Sequence, residues 1–218
     1  MTGAGRLAER CPRVWHVIEA EGLPAARRLG LLPAASLRSL AGAPPSDRNR
    51  TAFERLMLPH LGDAGAALLR FQQMEDARLL PTLHGCYAGH PGRWRAMLDR
   101  HVFFWAAEDR LSRFVAAVVR ERRRAEPQAP DPVILQFETA ALLAEHGEAT
   151  FFTTINSGST AGRGRAHRDE NTFRPVAAYK GGPVAELAIP GKVAFPEKVT
   201  ACFQSTRSPA SASLRRSP

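Results

Sequence analysis

The stretch RVWHVIEAEGLPAARRLGLL, residues 13–32, decides how the rest of the chain is read. Val14, His16 and Ile18 alternate with Trp15 and Val17, and β-branched and aromatic residues dominate, so the run predicts a strand. Glu21 to Leu29 predicts a short helix in which Pro24 falls in the tolerant first turn. Gly30 fits the left-handed position after a last helical turn. Strand, helix and glycine stop therefore follow in immediate succession. The residue that needs a reason is His16, which is either a core imidazole satisfied by one backbone partner or a group held ready for a ligand.

The chain around this stretch has 218 residues, enough for one sizeable core. With 44% hydrophobic and 23% charged residues it has the composition of a soluble domain. No apolar run approaches the roughly 20 residues of a membrane helix, so no membrane association is expected. The opening MTGAGRLAERCPRVW lacks the apolar core of a secretory signal, and Cys11, Cys86 and Cys202 are few and widely spaced. Reduced thiols and a cytoplasmic location are the expectation. The net charge of +9 comes almost entirely from arginine, Lys180, Lys192 and Lys198 being the lysines. It is compatible with an anionic partner such as nucleic acid and equally with a biased composition.

Residues 41–50 read as a loop, and the patterns from Thr51 to Arg100 are mainly helical, which predicts a helical insertion over about 46–100. GRWRAMLDRHVFFW predicts a short helix running into a strand at 101–105. AEDRLSRFVAAVVRERRR predicts a helix with acidic residues in its first turn and basic ones in its last, as the helix dipole favours. VILQFET and ATFFTTI read as strands, AALLAEHG as a helix between them, and VAELAIPGKVAFPEKVTACF supplies the closing strands. Residues 156–175, polar and rich in Gly and Arg, have the character of a functional loop. A single domain over 1–203 is expected, followed by a disordered basic tail at 204–218.

Three pieces of this order, WHVIEAEGLPAARRLGLL, VFFWAAEDRLSRFV and VAELAIPGKV, resemble the motifs of the ADP-ribosyltransferase superfamily. The chain looks like a diverged bacterial member, distantly similar to the DNA-modifying toxins and to the poly-ADP-ribose polymerases. The resemblance implies an α+β fold: a split antiparallel sheet core with flanking helices that binds NAD between its halves. It implies NAD as substrate, with ADP-ribosyl transfer to an acceptor, nucleic acid or protein, or NAD hydrolysis. By motif matching, His16 and Glu186 take the catalytic roles, His16 on a ribose of NAD and Glu186 on the 2′-hydroxyl and the oxocarbenium-like transition state. Val17, Phe104 and Trp105 would border the nicotinamide. Val17 stands where the polymerase branch has Gly, and Phe or Trp where it has Tyr.

The residues carry part of this by themselves. A carboxylate at Glu186 is stabilising where glycosidic cleavage develops positive charge on a sugar. Arg110 and Ser112 open a helix and could meet a phosphate of NAD; the resemblance further implies that the loop before the catalytic Glu shapes target recognition, which makes Asn156, Ser157, Arg163 and Arg165 candidates for substrate contact. NSGSTAGRGR lacks the Lys-Ser/Thr ending of a P-loop, HGCYAGH has three potential zinc ligands (His84, Cys86, His90) without a fourth, and no serine-hydrolase elbow occurs. No metal is expected. Two other functions stay open: an RNA 2′-phosphotransferase-like enzyme, drawing on Arg110, Arg163, Arg165 and Arg168, and a catalytically degenerate domain that binds a nucleotide or a partner.

Overall fold

A computed structural model describes residues 1–44, 53–70, 74–160, 166–195 and 201–202. Its strands are β1 (Arg13–Ile18), β2 (Phe53–Met57), β3 (Ala66–Arg70), β4 (His101–Trp105), β5 (Val133–Glu138), β6 (Phe151–Thr153), β7 (Arg174–Pro175), β8 (Glu186–Pro190) and β9 (Ala201–Cys202). The helices are α1 (Gly3–Arg10), α2 (Leu23–Leu29), α3 (Ala34–Leu40), α4 (Asp76–Leu79), α5 (Pro91–Leu98), α6 (Glu108–Ala125) and α7 (Thr139–His146). Seven strands form one antiparallel sheet in the order β7-β6-β8-β4-β1-β5-β9, and β2 and β3 form a separate hairpin. The fold is α+β, as the sequence implies.

Strand alternation sorts the apolar side chains to two faces of the sheet. Val14, Phe104, Leu135, Phe137 and Leu187 meet Leu7 of α1 and Leu142 and Leu143 of α7 in one core. Trp105 and Ile134, with Trp15 and Val17, pack on the other face against Leu111, Val115 and Val119, spaced four residues apart along α6. Arg122, in the basic last turn of α6, is turned inward: it donates to Glu21 Oε1 at 2.7 Å and Glu126 Oε1 at 3.0 Å and lies 3.7 Å from Glu19 Oε2. The helix is thereby anchored to the turn that follows β1.

The sheet is not uniformly paired. β1 pairs with β5 along all six residues and β4 with β8 along all five, whereas β1 and β4 share the single register pair Trp15↔Trp105. Continuing that register would set Val17 opposite Phe103; the two strands part instead. Gly30 closes α2 with φ 83° and ψ −178°, a conformation open to glycine alone. A Cβ there would meet the Val193 carbonyl oxygen at 2.7 Å, so the glycine also permits the bridge between Leu31 and Val193.

The expected helical insertion over 46–100 is corrected in its first part. Phe53–Met57 and Ala66–Arg70 are strands, not helix, joined through Pro59, Gly62 and Gly65. Leu56, Ala67 and Leu69 face Ala25, Leu29 and Leu37 of α2 and α3, while Met57 is exposed. In runs of five residues this alternation is easily taken for helical spacing. Helix does follow, in α4 and α5. Residues 46–52 and 71–73 of the expected insertion and the tail 204–218 lie outside the described residues.

Candidate functional site

Glu186 opens β8 between β4 and β6, opposite Trp105 on one side and Thr153 on the other. It is 4% exposed, so it does not stand on a solvated sheet edge. Ser157 holds it with two donors on one oxygen: the amide N lies 3.0 Å and the hydroxyl 2.8 Å from Oε2. Glu186 also lines the adjoining cleft. Burial pushes the carboxyl up to about 7, against the lowering effect of the two Ser157 hydrogen bonds and of the Arg110 and Arg168 charges.

That elevation has a consequence for stability. The folded value lies above the unfolded 4.5, so the stabilising protonated form is fully present below pH 4.5 and its benefit is lost as pH rises through about 7. Glu186→Gln removes this penalty. The variant is expected to be more stable than wild type at pH 8, by at most about 3 kcal/mol, and equal to it near pH 4. Denaturant melts of both proteins at the two pH values check this; a constant difference across pH would show that Glu186 ionises normally.

His16 occupies the split. Its Nδ1 lies 2.8 Å from the Phe103 carbonyl oxygen, and because a carbonyl only accepts, Nδ1 carries the proton and donates. Burial lowers the imidazole pKa, opposed by that hydrogen bond, and keeps the ring neutral. Nε2 is then an acceptor suited to a hydroxyl. The ring lies 5.7 Å from that of Phe104, which in turn stands edge-on to Phe137 in the core.

Arg168 organises the wall beneath Glu186. Although only 1% exposed, it donates through Nε to Ser157 O at 3.3 Å, through Nη1 to Ala166 O at 2.9 Å, and through Nη2 to Asn156 O at 3.3 Å and to Ser159 O. Trp94 Nε1 adds a bond to Ser157 O at 3.3 Å. The planar guanidinium thus gathers the carbonyls of the 156–159 turn, and that turn aims Ser157 at Glu186.

These groups border one cleft of about 280 Å³. His16, Val17, Phe104, Trp105, Ser157 and Glu186 all line it, so six of the sequence-derived site residues are brought together. Arg110 is half-buried close enough to act on Glu186 electrostatically but is not part of the lining. Ser112 is exposed on α6 and faces away from the cleft, so its role in cofactor binding is not supported. Asn156 contributes its backbone carbonyl to Arg168 instead of lining the cleft. Arg163 and Arg165 lie outside the described residues. Phe114 and Gly158, which the sequence does not single out, also line it.

The sequence profile of a family of unknown function, DUF7002, matches residues 12–198. The chain belongs to that family. No curated protein and no solved structure matches it. The match begins one residue before β1 and ends beyond β8, so it spans both catalytic candidates of this DUF7002 domain, His16 and Glu186. Among the described residues no helix is long and apolar enough to cross a membrane, and no three His, Cys, Asp or Glu side chains are grouped to hold a metal ion. His84 instead stacks on His167 at 4.1 Å, and Cys86 is exposed.

Proposed function

We propose that this DUF7002 domain cleaves the nicotinamide–ribose bond of NAD, transferring ADP-ribose to a nucleic-acid or protein acceptor or to water, in the cytoplasm. The observation that carries the reading is Glu186: a buried carboxylate fixed by Ser157 at the wall of a cleft that also presents His16 and an aromatic surface. Departure of nicotinamide leaves positive charge at the anomeric carbon, and a preorganised anion in a dry site lowers the barrier to forming that charge. His16 Nε2 accepts from a ribose hydroxyl, fixing the sugar against Glu186. Trp105, packed 5.0 Å from Phe114, offers an aromatic wall for the departing ring. The parting of β1 from β4 supports the split sheet that this reading requires.

Detection of free nicotinamide after incubating the purified protein with NAD tests the proposal directly. His16→Phe, which keeps a ring but removes the acceptor, is expected to lower kcat/KM about tenfold or more. An unchanged kcat/KM would exclude His16 from sugar binding. The phosphotransferase reading is disfavoured because Arg168, which it would use as a phosphate ligand, is committed to main-chain carbonyls. The degenerate-domain reading draws on Val17, whose side chain stands in the cleft wall where the polymerase branch has glycine. Absence of nicotinamide release would select it.

A further inference from the structure

The cleft lining is a poor receptor for a diphosphate. Among the described residues that line it there is no arginine or lysine, while three, Glu19, Asp99 and Glu186, are acidic. The two lining histidines are held neutral by burial, His16 in the split and His101 at the start of β4, where its Nδ1 lies 2.8 Å from the Met97 carbonyl oxygen. Among the described residues, the cations nearest the cavity do not line it: Arg122 lies 3.7 Å from Glu19, Arg168 is buried among carbonyls, and Arg110 stays outside the lining. The rest of the wall is largely apolar and includes Phe103, Phe114 and Trp105, the last directly across the strand pair from Glu186. Aromatic faces next to a carboxylate attract an organic cation with a flat apolar body. The volume of about 280 Å³ is at the lower bound of small-molecule pockets, roughly 300–1,000 Å³, and suits a nucleoside better than a dinucleotide.

We infer that the cleft recognises an N-ribosylpyridinium by itself, the cationic ring among the aromatic side chains and the sugar between His16 and Glu186, with any phosphate left at the rim. Nicotinamide riboside and nicotinamide mononucleotide are then substrates on a par with NAD. The inference rests on the proposed cleavage and narrows it to the part of the substrate that matters. In hydrolysis a water oxygen bonds to the anomeric carbon as its bond to the pyridinium nitrogen breaks. The bonding pair passes to that nitrogen, giving neutral nicotinamide, and the water proton goes to solvent.

Two measurements on the full chain test it. Nicotinamide release from the riboside, the mononucleotide and NAD is expected to give kcat/KM values within about tenfold of one another, because an exposed phosphate contact contributes little. Preference for NAD over the riboside by more than tenfold would overturn the inference while leaving NAD cleavage standing. Separately, quenching of tryptophan fluorescence at pH 8 by 1-methylnicotinamide, a cation, is expected at concentrations at least tenfold below those for neutral nicotinamide, and Phe114→Ala should abolish the difference. Equal binding of the two probes would also overturn it. Selective binding of the cation with no nicotinamide released from any of the three compounds would uphold the ligand class and refute the cleavage.

Discussion

Glu186→Gln is expected to reduce nicotinamide release at least 100-fold at pH 8 while the protein remains folded. Gln keeps the size of the side chain and a carbonyl oxygen that can accept from Ser157, but it removes the charge that faces the ribose as the glycosidic bond opens. Since that charge is most valuable in the transition state, kcat should collapse while KM changes little. Single preorganised electrostatic groups of this kind contribute about 10²–10³ in rate, or roughly 2.7–4 kcal/mol. The same ionisation predicts that wild-type activity rises with pH through about 7, the value to which burial pushes the carboxyl. A flat profile, or equal release by the variant, would take Glu186 out of the chemistry. Enhanced stability of the variant at pH 8 alongside lost activity would be the signature of a carboxylate kept buried at a cost to the fold.

The parts of this site that were legible in sequence are those fixed by local rules. The two-residue period of Val14 to Ile18 and the glycine after Leu29 place β1 and α2, because alternation and positive φ are properties of short segments. The charge-graded pattern of 108–125 places α6 for the same reason. In VAELAIP, Glu186 shares a strand face with Val184 and Ala188, which by itself fits either a solvated sheet edge or a carboxylate held in a cleft; the resemblance favours the cleft, and the strand is buried on both sides.

What the sequence concealed depends on partners distant in the chain. The hairpin of β2 and β3 is stabilised by burial against α2 and α3, and Arg38 of α3 reaches across to Glu54, a pairing that no period announces. Ser112 was a reasonable phosphate contact at a helix start, but the rotation of α6 that buries Leu111 and Val115 points it to solvent. Arg168 lies in a run, GRGRAHRDE, whose other charges look like ordinary solvated polars. Its burial follows from Leu83 bridging to it in parallel and from the carbonyls of a turn about ten residues earlier. The only hint available was that an arginine-rich loop preceded a strand bearing a buried acid.

Arg168 is therefore the residue whose loss should be felt most widely. Arg168→Met keeps much of the volume but removes every donor, taking one partner from each of the carbonyls of Asn156, Ser157, Ser159 and Ala166 in a largely buried site, while Trp94 Nε1 still reaches Ser157 O and Ser159 N still reaches Asn156 O. A buried carbonyl deprived of its donor costs about 1–3 kcal/mol before relaxation, and two of the four keep another donor, so a net destabilisation of about 2–4 kcal/mol is expected, roughly 5–10 °C in Tm. A purely structural role would stop there. Arg168→Lys separates the two roles, because an ammonium preserves the charge but cannot span the carbonyls that the planar guanidinium gathers. With the 156–159 turn loosened, Ser157 would no longer deliver both of its donors to Oε2, and the forces that hold the Glu186 carboxyl down would weaken. The pH midpoint of nicotinamide release is then expected to rise above about 7 by half a pH unit or more in Arg168→Lys, with a smaller loss of Tm than in Arg168→Met. A lowered Tm with an unmoved midpoint would make Arg168 a residue of the fold alone; a raised midpoint places it in the machinery that positions Glu186.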